Sequence, residues 1–228
     1  MAETVYKRTK LFGGALECDL PEQFADVSTL RQVPDAQEVF IDKDGFTSII
    51  FDITERVGGA GSSPEIDGKA LTTHLEELVG TDVDTVKVWN STETVFSKLE
   101  YAHLKALHLG LPSPSPHDRW LTLFPLILRS VQIPAYTLIA TQTPPPDPSS
   151  RSGAPDFTAI ILTLLRLEKE LTDILITVNV PHIKGEYDDE EVDLQLGKQG
   201  KLIGAAVEDA ARIWETFRVN DWNLFNEI

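Results

Sequence analysis

The sequence is short of cysteine and of long hydrophobic runs. Cys18 is the only cysteine among 228 residues, so one chain can form neither an intramolecular disulfide nor a zinc site built from thiolates alone. The longest apolar segment, WLTLFPLILRSVQIP, is interrupted by Pro125 and Arg129, whereas a membrane helix needs about 20 apolar residues. The N-terminal residues MAETVYKRTKLFGG also lack the apolar region of a signal peptide. We therefore expect a soluble protein of the nucleus and cytoplasm, with no membrane association.

Basic side chains are scarce as well. The chain has 20 Lys and Arg against 36 Asp and Glu, which gives a formal net charge of -16 at pH 7. A surface this acidic repels phosphate backbones and attracts partners that present Lys and Arg. Nucleic acid is therefore not an expected partner, and a basic protein surface is.

Catalytic and metal-binding motifs are incomplete throughout the chain. GGAGSSPEIDGKA resembles a phosphate-binding loop, but Ser63 and Ala70 stand where that motif needs Gly and Ser or Thr. FIDKDGFTSIIF resembles part of a calcium loop, yet phenylalanine occupies its first and last ligand positions. His103 and His108 are five residues apart, which places them on different faces of a helix. We expect no metal, no cofactor and no enzymatic activity.

The pattern of apolar residues predicts an antiparallel sheet. AQEVFI and TSIIFDI flank an Asp-Gly turn, which predicts a β-hairpin over residues 36–54. FTAIILTLLRL and TDILITVNVP, joined by a polar EKEL turn, predict an antiparallel strand pair near the centre of the sheet. The segment 143–156 is so rich in Pro, Ser and Gly that we expect a flexible inserted loop.

Two helices accompany these strands. IDGKALTTHLEELVG has one apolar stripe, with Asp67 as the expected N-cap and Gly80 just past its end. KLIGAAVEDAARIWETF has the strongest helical spacing in the chain. Strands joined by hairpins, together with helices that have a single apolar face, predict one α/β domain over residues 1–228, with a largely antiparallel twisted sheet flanked by helices.

Five segments resemble the Ran guanine-nucleotide release factor (Mog) family. LFGGAL, LPEQFADVSTLRQVPDAQEVF and SIIFDITE occur in the family's order, and LLRLEKELTDILITVNVP and RVNDWNLF are similar to its later strands and C-terminus. The likeness covers residues 11–56 and 157–228. Residues 81–156 are longer than the family pattern, so no residue is carried over there.

The resemblance implies an α/β/α sandwich related to the PsbP-like fold, without enzymatic chemistry. It also implies binding to the small GTPase Ran, promotion of guanine-nucleotide release and a role in nuclear protein import. Family function is tied to an acidic exposed patch. The matching positions, which are our candidate GTPase-binding residues, are Asp26, Leu30, Arg31, Asp35, Gln37, Glu38, Asp52 and Glu55.

Strand geometry limits how two of these acids act together. Side chains alternate between faces of a strand, so Asp52 and Glu55 converge only if the strand ends or bulges near Thr54. We expect such an end. A GTPase holds its nucleotide through Mg²⁺ and a phosphate-loop lysine, and a carboxylate from Asp52 or Glu55 can compete for that lysine. Asp35 and Glu38 are then expected to dock against basic surface.

Other functions fit parts of the same sequence. The first alternative is an acidic adaptor that binds another basic protein without nucleotide exchange. A second is a small-ligand domain, which predicts an apolar cavity in place of a charged patch. A PsbP-like photosynthetic subunit is a third, and it needs a targeting sequence. A monomer is expected because no heptad seam is visible.

Overall fold

The computed structural model describes residues 4–28, 33–99, 133–145 and 153–226. Two α-helices, α1 (Pro64–Val79) and α2 (Gly200–Thr216), lie within these ranges. The strands, in chain order, are β1 (Tyr6–Leu11), β2 (Leu16–Pro21), β3 (Phe24–Asp26), β4 (Gln37–Asp42), β5 (Ser48–Glu55), β6 (Val86–Glu93), β7 (Ala135–Gln142), β8 (Pro155–Leu167), β9 (Thr172–Ile183), β10 (Val192–Asp193), β11 (Lys198–Gln199) and β12 (Arg218–Val219).

A seven-stranded sheet in the order β3-β4-β5-β9-β8-β7-β6 forms the centre of the molecule. All its neighbouring strands are antiparallel. A second sheet contains β1, β2 and β12, and β10 pairs with β11. The long pair β8 and β9 lies in the middle of the main sheet, which confirms the prediction made from their apolar sequences. Consecutive residues of β8 are buried on both faces, and this explains why its sequence does not alternate with polar residues.

The two helices cover opposite faces of the main sheet. Helix α1 packs through Leu71 and Leu75 against apolar residues of β7 and β8. Helix α2 packs through Ile203 and Ile213 into a larger core, which includes Leu20 of β2 and the β5, β8 and β9 side chains on that face. The layers are therefore helix, sheet, helix, with the small sheet beside α2, and the predicted fold class is confirmed.

Most predicted elements form, with some different boundaries. The 36–54 hairpin appears as β4 and β5, and Gly80 follows α1 as expected. The predicted N-cap is wrong: the side chain of Ser63 accepts the bond from the Ile66 amide. Strand β8 already begins at Pro155, inside the predicted loop, while residues 146–152 of that loop lie outside the described residues. None of the described helices has the length and hydropathy of a membrane span.

Candidate functional site

Asp52 lies in the middle of β5 and is paired across the hairpin with Gln37. The Gln37 Nε2 donates a hydrogen bond of 2.9 Å to Asp52 Oδ2, and both residues are half-buried. The structure therefore brings these two predicted site residues together as one polar pair.

Glu55 is the last residue of β5 and is exposed. Strand β5 pairs with β9 residue for residue from Ser48 to Glu55, where Glu55 lies opposite Thr172. Regular pairing places the side chains of Asp52 and Glu55 on opposite faces of the sheet. Strand β5 does end close to Thr54, at Glu55, but its pairing is regular up to that residue, so the expected convergence of the two acids is wrong.

Asp35 lies at the same end of the sheet as Glu55. The Ile53 amide donates to the Ala36 carbonyl at 2.9 Å, which extends the β4–β5 pairing toward the residues that precede β4. Asp35 is exposed there, and neither its carboxylate nor that of Glu55 has a hydrogen-bond or ion-pair partner within the described ranges. We call the end of the sheet where Glu55 ends β5 and Asp35 lies in the turn before β4 the Glu55 end.

Glu38 has an internal contact instead. Its Oε1 accepts a hydrogen bond of 2.7 Å from the Phe12 amide. Phe12, Gly13 and Gly14 all have positive φ angles, of 48°, 66° and 95°, so this bond holds a left-handed turn between β1 and β2. The predicted docking role of Glu38 stays a prediction, but the structure shows a carboxylate that anchors the Gly-Gly turn.

Glu38 also gives a pH prediction. Burial raises its pKa, and the nearby Asp26 raises it further. Because the folded state then holds the proton more tightly than the unfolded state, Glu38 favours folding at low pH, and this contribution is lost as the pH rises through its folded pKa. Glu38→Gln, which keeps an acceptor for Phe12, is expected to lose less stability between about pH 4 and pH 7 than the wild type.

Urea unfolding at several pH values measures this difference. Glu38→Ala is the matched variant, because it leaves the Phe12 amide without its acceptor and is expected to cost about 1–3 kcal/mol of unfolding free energy. An unchanged pH dependence in Glu38→Gln would contradict the assignment.

The remaining candidates, Asp26, Leu30 and Arg31, precede β4 in the sequence. Asp26 ends β3, is exposed, and accepts a hydrogen bond of 2.9 Å from the Ser28 amide. Leu30 and Arg31 lie outside the described residues.

A network of buried charged side chains next to the end of β5 was not predicted from the sequence. Arg166 of β8 is almost fully buried. It donates from Nη1 to Asp67 Oδ1 at 2.9 Å, from Nε to Asp173 Oδ1 at 3.1 Å, and from Nη2 to the Val57 carbonyl. Asp173 Oδ2 also accepts from the Val57 amide at 3.0 Å and from His74 Nε2 at 3.0 Å. We call these five residues the Arg166 network.

The network fixes the chain directly after β5. It joins α1, β8 and β9 to Val57, which lies two residues beyond Glu55. The sequence signal was an arginine inside the apolar run of β8, since a buried arginine needs a carboxylate partner. Its partners were not visible, because Asp67 is 99 residues away in sequence.

The glycine-rich loop that follows is folded around Arg56. The Arg56 guanidinium donates to the carbonyls of Gly59 and Gly61, each at 2.6 Å. The Gly61 amide donates to Glu168 Oε1 at 2.5 Å, and the Arg56 amide donates to the Leu171 carbonyl at 2.9 Å. The backbone of Glu55 is therefore held by the pairing of β5 with β9 and by the hydrogen bonds of Arg56, the next residue.

The charge network does not form a metal centre. Within the described ranges, no group of three His, Cys, Asp or Glu side chains is placed to hold a metal ion. The Glu55 end presents negative charge that no described residue neutralises, next to hydrogen-bonded backbone, and this arrangement suits a cationic group of another molecule.

Comparison with known proteins gives a consistent result. The family described as Ran-interacting Mog1 protein matches residues 9–181. A Dictyostelium discoideum protein named probable ran guanine nucleotide release factor is 30% identical over 182 residues, which cover 78% of this chain and 75% of that protein. The Bos taurus Ran guanine nucleotide release factor is 28% identical over 184 residues, covering 77% and 95%.

The fold agrees with a solved structure. The crystal structure of the Saccharomyces cerevisiae Ran-binding protein Mog1p matches with a TM-score of 0.62 at 23% identity, covering 98% of this chain and all of that one. At this identity the match shows a common fold. Because the family match spans most of the sequence, the chain belongs to the Mog1 family, described as Ran-interacting Mog1 protein.

Proposed function

We propose that this protein binds the small GTPase Ran, promotes release of its guanine nucleotide and thereby supports nuclear protein import. The observation that carries the proposal is the exposed Glu55 carboxylate, which has no partner among the described residues and lies at a hydrogen-bonded end of the sheet in a member of the Mog1 family. The names of its relatives, which are Ran guanine nucleotide release factors, support the same function.

Glu55 is the group best placed to enter the nucleotide site of Ran. A GTPase binds its nucleotide through Mg²⁺ and a phosphate-loop lysine. A carboxylate supplied by a partner competes with the phosphates for that lysine, so the nucleotide is held less tightly. Because Glu55 is exposed and its neighbours are hydrogen-bonded, little ordering is needed when it engages.

The other acids have supporting roles in this proposal. Asp35, at the same end, docks against basic surface of Ran. Asp52 and Gln37 form a polar pair on the opposite face of the sheet from Glu55, and Asp26 lies at the end of β3, the edge strand next to β4. The net charge of -16 attracts a basic partner over a longer range and speeds association at low salt.

The protein acts by binding alone, without enzymatic chemistry or a cofactor. We propose that it works as a monomer in the nucleus and cytoplasm, the compartments between which imported cargo moves.

Linkage provides the test of this function. If the protein weakens nucleotide binding by Ran, then nucleotide must weaken its binding to Ran by the same factor. We expect tighter binding to nucleotide-free Ran than to Ran saturated with GDP or GTP, measured by titration calorimetry. Equal affinities would exclude release activity and favour an adaptor, and absence of binding to every form would exclude Ran as the partner.

A further inference from the structure

Leu171 is an unusual residue in the turn between β8 and β9. Its φ angle is +50°, in the left-handed region that bulky side chains rarely adopt. Its side chain is also 70% exposed, more than any other large hydrophobic residue of the described chain. The turn therefore combines backbone strain with an apolar side chain left in water.

Folding gains little from this leucine. A left-handed residue other than glycine or asparagine costs about 1–2 kcal/mol, and an exposed side chain returns almost none of the free energy that burial would provide. Phe12, the other non-glycine residue with positive φ in the described ranges, packs against the main core. Its side chain therefore contributes to folding, whereas that of Leu171 does not.

Leu171 lies beside Glu55. Its carbonyl accepts the Arg56 amide, and the next residue, Thr172, pairs with Glu55 across β5 and β9. Glu168, at the start of the same turn, has a side chain that is 41% exposed. The Glu55 end thus presents one large exposed apolar group next to the strand position of the exposed Glu55.

This composition matches the centre and rim of a protein interface. Binding sites concentrate their affinity in a few large side chains that fill a pocket, with polar groups around them. The negative charge of Glu55 favours a partner that has Lys or Arg at the edge of such an apolar pocket.

We propose that Leu171 is the apolar anchor of the Ran-binding surface, entering an apolar pocket on Ran whose basic rim engages Glu55. This inference rests on the proposed function. It explains why a strained, exposed leucine stands at a position where glycine or asparagine would fit the backbone better.

Leu171→Asn tests the anchor, since asparagine tolerates positive φ and removes the apolar side chain. We expect affinity for nucleotide-free Ran to fall about 10- to 100-fold, the loss typical of a buried leucine. The midpoint of denaturant unfolding is expected to stay unchanged or to rise. Val83→Asn is the matched control, because Val83 is a 43% exposed apolar residue in the turn after α1, and its affinity is expected to match the wild type.

Three other results would contradict the role proposed for Leu171, and each can be told from the others. If Leu171→Asn binds Ran as tightly as the wild type does, the anchor is wrong while the proposed function stands. If Leu171→Asn unfolds more easily than the wild type, the side chain serves folding. If wild-type protein fails to bind nucleotide-free Ran, the proposed function fails, and the anchor fails with it.

Discussion

Glu55→Ala is expected to weaken binding to nucleotide-free Ran by about 30- to 4000-fold, which corresponds to about 2–5 kcal/mol. This is the range for removing one member of a charge pair that becomes buried at an interface. The weaker binding is expected to come mainly from faster dissociation, which surface plasmon resonance measures. An exposed charge outside an interface would change the affinity by only about 0.2–1 kcal/mol.

Glu93→Ala is the matched control for this experiment. Glu93 is also the exposed last residue of a strand, β6, at the far edge of the same sheet. Its replacement removes the same charge from the protein, so it reports any general electrostatic effect. Asp52→Ala belongs in the same series, and losses below about 1 kcal/mol at both Glu55 and Asp52 would contradict the binding surface.

Asp173→Ala is expected to lower the free energy of unfolding by about 3–5 kcal/mol, as is typical when one partner of a buried ion pair is removed. Asp173 is fully buried and accepts from the Arg166 guanidinium, from His74 and from the Val57 amide. Without it, the Arg166 guanidinium, His74 and the Val57 amide all lose an acceptor. Guanidinium chloride unfolding provides the measurement.

Lys201→Ala provides the comparison for Asp173→Ala. Lys201 forms a 2.7 Å ion pair with Glu191, but the two side chains are 68% and 36% exposed. Solvent screens such a pair, so its loss is expected to change stability by less than about 1 kcal/mol. A similar small effect at Asp173 would show that the Arg166 network does not stabilise the fold.

Local sequence patterns were sufficient for much of the fold. The Asp-Gly turn and its flanking strands predicted the β4–β5 hairpin, since turn chemistry and β-propensity act over a few residues. The apolar runs predicted β8 and β9 in the middle of the sheet, and the apolar stripe of α2 predicted a helix that covers one face.

Long-range pairing explains what the sequence did not reveal. Asp67 has the chemistry of an N-cap, but it pairs with Arg166 on a strand far along the chain, and Ser63 takes the cap position. Glu38 looked like surface charge, yet it anchors Phe12, 26 residues earlier. These outcomes depend on which strands become neighbours, and side-chain type alone does not determine that.

In the candidate site, too, the sequence identified residues but did not reveal how strand pairing arranges them. The resemblance located the acids of β4 and β5, but it could not determine their faces. Regular pairing up to Glu55 separates Glu55 from Asp52 and places it opposite Thr172, next to Leu171. Leu171 was missed because an exposed leucine in a polar EKEL turn has no distinctive sequence signal without its φ angle.

Release of a fluorescent guanine nucleotide from purified Ran is the most direct test of the central claim. We expect wild-type protein to accelerate release, Glu93→Ala to match it, and Glu55→Ala to lose most of the acceleration at the same concentration. Acceleration that survives Glu55→Ala, or a wild-type protein that is folded but leaves the release rate of active Ran unchanged, would contradict the account.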